Sequence, residues 1–142
     1  MTSKSLAKKI AALSLTKKAL DVVVMDLRTL TTMTDFFVVC NGESDTQARA
    51  IADAIREGTW QEGEDAWKHE GYQQGNWIVL DYVDVVVHVF HKDARAFYNL
   101  EKLWGDAKFE HVSDEEPEKK EKIKTTKPRV TKPRIAKKKK EA

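Results

Sequence analysis

The sequence predicts an α/β domain, a mixed β-sheet flanked by helices, and three observations carry that prediction. Aliphatic runs of strand length alternate with segments of helical periodicity, in the order α, β, β, α, β, β, β, α. Two of the runs, 77–82 and 85–90, are joined by so few residues that an antiparallel hairpin is the natural connection. Every Trp, Phe and Tyr lies in residues 1–112 of the 142, so the part able to build a core ends there.

Taken in order, Leu6, Ile10 and Leu13 recur at helical spacing among lysines and predict an amphipathic helix over 4–18. The opening residues lack acids, as organelle transit peptides do, but they also lack arginine, and lysines interrupt any signal-peptide core; a domain helix is the better reading. The runs 22–26 and 36–40 are β-branched and aromatic, the signature of buried strands. Ser44-Asp45-Thr46-Gln47 has the form of a capping box, with Asp45 at the positive end of the helix it opens. Ala48, Ile51, Ala52 and Ile55 then hold one face, and Gly58 is expected to supply a left-handed stop. A short strand is expected at 66–70, before Gly71, followed by the hairpin. Asp93 is expected to cap a last helix carrying Phe97, Leu100 and Trp104, after which the hydrophobic pattern fades near Val112.

Residues 1–112 hold 13 basic and 17 acidic side chains, residues 113–142 hold 12 and 6, so a net charge of +2 conceals an acidic domain and a basic extension. The extension, without aromatics and with all three prolines, is expected to be a disordered charged tail. It repeats Lys-Pro-Arg-aliphatic and ends in Lys137, Lys138, Lys139 and Lys140 before Glu141. No apolar run is long enough to cross a membrane as a helix, and a single cysteine, Cys40, reads as a small buried hydrophobe in a reducing compartment.

Motifs for chemistry are sparse. Gly42 and Ser44 before a helix lack the rest of a phosphate loop, and Ser44 is already explained as a cap. His69, His88 and His91 have no spacing that would set two imidazoles on one helix face, and His88, alternating with Val86 and Phe90, reads as a hydrogen-bonded histidine at a core edge. Asp81 and Asp84 flank the hairpin turn. They support an alternative reading, a magnesium-dependent nucleotidyltransferase-like enzyme, although turns favour Asp without any metal. In the first hairpin strand Trp77, Val79 and Asp81 point one way and Ile78, Leu80 and Tyr82 the other, so both faces carry bulky groups, and Trp77 and Tyr82 each suit core packing as well as a binding surface.

Four segments in order, Asp35-Phe36-Phe37-Val38-Val39-Cys40-Asn41-Gly42-Glu43-Ser44-Asp45-Thr46-Gln47, Glu70-Gly71, the stretch from Trp77 through Leu80-Asp81-Tyr82-Val83-Asp84 to His88-Val89-Phe90, and Arg95-Ala96-Phe97-Tyr98-Asn99-Leu100-Glu101-Lys102-Leu103-Trp104, closely resemble the ribosomal silencing factor (Iojap-like) family over about residues 4–110. The resemblance implies a nucleotidyltransferase-like fold without catalysis, cofactor or metal. It implies a cytoplasmic translation repressor, organellar in eukaryotes, that binds the large ribosomal subunit through its fourteenth protein. There it would sterically block joining of the small subunit, an anti-association mechanism. Carried over by position, Trp77, Leu80, Asp81, Tyr82 and Asp84, with Glu70 and His88 shaping the patch, are the expected partner-binding residues; Tyr98, Glu101 and Trp104 are expected to be structural. Val83 stands where the family commonly has glycine, which leaves the turn geometry open. A homodimer is a further expectation. Lys127, Arg129, Lys132 and Arg134, with the four terminal lysines, are expected to contact ribosomal RNA.

Overall fold

The computed structural model describes residues 1–113. Its elements run α1 (Ser3–Leu15), β1 (Leu20–Asp26), β2 (Phe36–Gly42), α2 (Asp45–Gln61), β3 (Lys68–Glu70), β4 (Trp77–Asp81), β5 (Val85–His91), α3 (Lys92–Tyr98), α4 (Leu100–Leu103) and β6 (Lys108–Val112). The strands form one sheet in the order β3-β4-β5-β2-β1-β6. Only β2 and β5 run parallel; the other neighbours are antiparallel, so the sheet is mixed and the 77–82/85–90 hairpin is present. The expected tail, with its disorder and RNA-binding residues, lies outside the described residues.

Period-two alternation sorts the side chains into two layers. Val85, Val87 and Val89 of β5, Ile78 and Leu80 of β4, and Val38 and Cys40 of β2 meet Leu6, Ala7, Ile10 and Ala11 of α1 and Ala48, Ile51, Ala52 and Ile55 of α2. The opposite face gathers Val23, Met25, Val39 and Phe90 under Ala94 of α3 and Leu100 of α4. Two helices of 13 and 17 residues cover the first face, whereas α3 and α4 have 7 and 4 and leave part of the second bare.

The start of α2 is as its sequence predicts. The Ser44 hydroxyl accepts from the Gln47 amide at 3.1 Å, and Gln47 reaches back to accept from the Glu43 amide at 2.7 Å. Its far end corrects the expectation for Gly58. The helix runs through that residue to Gln61, and what calls for glycine at 58 is space: a Cβ there would lie 2.3 Å from Leu13 Cδ2 of α1. Gly58 therefore serves close helix packing, and the left-handed glycine is Gly63, at φ +83°.

The end of the domain also differs. His91, not Asp93, caps α3, its Nδ1 accepting from the Asp93 amide at 3.2 Å. The single expected helix is divided at Asn99, which adopts φ +48°, ends α3 and caps α4 through its own side chain. Where the hydrophobic pattern fades, residues 108–112 form β6 against β1. Phe109 joins one layer and Val112 the other, so this edge strand shows no alternation to read.

Candidate docking interface

The bare part of the second face is built by the hairpin and β2. Registers Trp77↔Phe90, Val79↔His88 and Asp81↔Val86 across β4/β5, and Phe37↔Val86 and Val39↔His88 across β2/β5, place these side chains on one face of the sheet, where Val39, His88 and Phe90 are buried and Phe37, Trp77, Val79, Asp81 and Val86 remain partly exposed. Aromatic rings cross it in a chain of contacts. Trp104 and Phe37 have centroids 5.9 Å apart, Phe37 and His88 4.4 Å, His88 and Trp77 6.0 Å, and Trp77 and Tyr98 4.4 Å.

At one end of this chain lies a groove of about 490 Å³, lined chiefly by Met33, Phe37, Trp67, Val83, Val86 and Trp104, with Asp81 the one charged group in its wall. Met33, Trp67 and Val83 are 86, 71 and 55% exposed. Large apolar side chains held in water and clustered in this way make a candidate binding surface, for a protein, a ligand or a membrane.

The turn beside the groove is held from several sides. Asp81 Oδ1 accepts from the Val83 amide at 2.8 Å, and the Tyr82 amide donates to the Val85 carbonyl at 2.8 Å. The Asp84 carbonyl accepts from the amides of Asp35 and Phe36 at 2.8 and 3.1 Å, tying the turn to the start of β2. Val83 sits at φ +74°, a left-handed conformation that a β-branched side chain adopts only at a cost. This settles the turn geometry: the valine occupies the backbone state that a glycine would take freely.

The structure divides the seven residues expected to bind. Trp77 and Asp81 lie partly exposed on the bare face, Asp84 is exposed in the turn, and Glu70 is exposed on the edge strand β3, 3.4 Å from Lys68. Leu80 and Tyr82 correct the expectation that these residues share one surface. They belong to the other layer, 1 and 8% exposed, because β4 alternates and α2 covers that side. The Tyr82 hydroxyl meets Thr59 of α2 at 2.8 Å, and burial raises its pKa above the ordinary phenol value. His88 is 6% exposed, and its Nδ1 accepts from Trp77 Nε1 at 3.0 Å. Of the residues expected to be structural, Glu101 pairs with the buried Arg95, whereas Tyr98 is 44% exposed and Trp104 walls the groove. Sequence reasoning missed Met33, Phe37, Trp67 and Val86. The doublet Phe36-Phe37 was the available signal, since adjacent strand residues face opposite ways and one phenyl had to point away from the helices.

For chemistry the surface offers little. Burial pushes the Cys40 thiol up to about 12, so it holds no thiolate near neutral pH. Among the described residues no three His, Cys, Asp or Glu side chains converge, and the Asp81 carboxylate already takes a turn amide. No described helix is long and apolar enough to cross a membrane.

Comparison with known proteins adds the decisive observation. A family model described as "Ribosomal silencing factor during starvation" matches residues 1–140. The chain belongs to the ribosomal silencing factor family. It is 45% identical over 107 residues to the ribosomal silencing factor RsfS of Bacillus subtilis, covering 75% of this chain and 91% of that one. The Iojap protein of Zea mays chloroplasts is 37% identical over 93 residues, 63% of this chain and 39% of that one. A crystal structure from Chromobacterium violaceum superposes with a TM-score of 0.73 at 30% identity, over 76% of this chain and 90% of that one. One from Bacillus halodurans gives 0.65 at 42%, over 71 and 94%. Silencing factors from bacteria and Iojap proteins from plants thus share this chain's pattern, and the mixed sheet flanked by helices is the fold of its solved relatives.

Proposed function

We propose that this member of the ribosomal silencing factor family represses translation in the cytoplasm by docking its bare sheet face on the large ribosomal subunit, on the subunit's fourteenth protein. The domain then occupies space that the small subunit needs, and the subunits fail to join. The observation that carries this reading is the groove of Met33, Phe37, Trp67, Val83, Val86 and Trp104, linked through His88 to Trp77, with Asp81 in its wall and Asp84 exposed in the adjoining turn. Apolar rings give buried area, and the carboxylates suit a basic protein surface. Occlusion needs no catalytic group, and the reading is of a binding protein and not an enzyme. The basic residues from Lys127 to Lys140 add ribosomal RNA contacts that weaken with salt.

The test is sedimentation of the full chain with isolated large subunits, small subunits and assembled ribosomes, in buffers of two salt concentrations. Selective comigration with the large subunit, with failed subunit joining, supports the reading when Trp77→Ala and Phe37→Ala abolish it and deletion of residues 113–142 only weakens it. Equal binding to both subunits that disappears with salt overturns it.

A further inference from the structure

The imidazole of His88 is buried beneath the proposed docking face. It sits in the middle of the ring chain with Phe37 edge-on at 4.4 Å and at 66°, Trp77 on the other side, and Val39 and Val79 opposite it on the neighbouring strands. Trp77 is itself held between Phe90, stacked at 5.1 Å, and Tyr98 at 4.4 Å. Its indole N–H donates to His88 Nδ1 at 3.0 Å.

That bond fixes the tautomer. A nitrogen that accepts carries no proton, so the neutral ring keeps its proton on Nε2. Nε2 is buried and has no hydrogen-bond partner among the described residues. A buried donor left unpaired costs free energy that a phenylalanine or leucine at the same place would not incur. The histidine therefore needs a compensating role, and among the described residues its hydrogen bond is with Trp77.

We propose that His88 is a positioning residue for docking: through Nδ1 it fixes the indole of Trp77 and, through its ring, braces Phe37, so that the anchor and the groove floor form one preorganised surface. The inference rests on the docking reading above. A tryptophan stacked on the strand by its rings alone can rotate or slide, whereas an indole pinned at Nε1 meets the partner without that ordering cost. Burial keeps the imidazole neutral, as an acceptor must be, by lowering its pKa to about 4.

The experiment compares His88→Phe, which keeps ring and packing but removes the acceptor, with His88→Asn, whose side-chain oxygen can stand near the Nδ1 position. In full-length protein labelled with nitrogen-15, the Trp77 indole resonance is identified by its loss in Trp77→Phe. The expected result is an upfield shift and faster solvent exchange of that resonance in His88→Phe, with recovery in His88→Asn. Large-subunit binding should weaken about tenfold in His88→Phe and return to within about twofold of wild type in His88→Asn. An unchanged Trp77 resonance in a folded His88→Phe, judged by its other three indole signals, overturns the proposal and leaves docking standing. Altered indole signals with undiminished binding overturn it as well. Wild-type binding by Trp77→Ala would instead defeat the docking reading, independently of the indole spectra.

Discussion

The hydroxyls of Tyr82 and Thr59 lie 2.8 Å apart in the buried layer between α2 and the sheet. Thr59 also meets the Ile55 carbonyl at 2.9 Å, so it keeps a partner if the phenol is removed. Tyr82→Phe is expected to destabilise the domain by about 1 kcal/mol, the net worth of one hydrogen bond, and to leave large-subunit binding unchanged. Urea unfolding and sedimentation read the two effects separately. A binding defect in a variant of near wild-type stability would return Tyr82 to the interface.

Val83 offers a stabilising substitution. At φ +74° its backbone is strained, and the hydrogen bond that its amide donates to Asp81 Oδ1 survives any replacement except proline. Val83→Gly is expected to raise stability by about 1 kcal/mol, the relieved strain exceeding the added entropy of the unfolded chain. The same change removes apolar area from the groove wall, so a higher melting temperature with weaker subunit binding is the expected pair of results. A lower melting temperature would show that the valine is not strained.

Gly71 is the opposite case. It combines φ +82° with a Cβ position only 2.0 Å from the Trp77 carbonyl oxygen, an overlap with backbone that no rotamer relieves. Gly71→Ala is expected to cost about 2–4 kcal/mol, adding left-handed strain to displacement of β4. Thermal unfolding with an unchanged midpoint would contradict the packing described.

Acid should weaken the domain through His88. Its folded pKa is lowered from 6.5 to about 4, burial being the cause. Between those values the unfolded chain binds the proton and the folded chain does not, so stability falls as pH falls; the contribution is complete above 6.5 and gone below about 4. From pH 7 to 4.5 this one group should remove about 2–3 kcal/mol. Wild type is expected to lose that much more than His88→Phe in urea unfolding at the two pH values. Equal losses would mean that the imidazole titrates normally.

Much of the fold was legible because local rules and tertiary packing agree. Ser44 and Gln47 announce the start of α2, and the paired aliphatic runs announce the hairpin. The misses lie where distant parts of the chain decide. Gly58 reads as a stop until Leu13 of another helix is seen against it. The strand at 108–112 gives one apolar side chain to each layer and carries no period. Leu80 and Tyr82 sit in one of the segments that carry the family resemblance, yet alternation alone cannot say which side the helices take.

The sequence by itself determined a mixed α/β domain, the place where core-forming composition ends, a capped central helix, a hairpin with Asp at its turn, and membership of a recognisable family. Those are properties of periodicity, composition and motif order, written within a few residues of one another. Only the tertiary structure decided which face α1 and α2 cover and which stays bare, that Phe37, Trp67, Val86 and Trp104 converge on one groove, and that His88 holds Trp77. The reason is physical: β2 lies beside β5 although α2, β3 and β4 separate them in the chain, and no local propensity encodes a neighbour so distant in sequence.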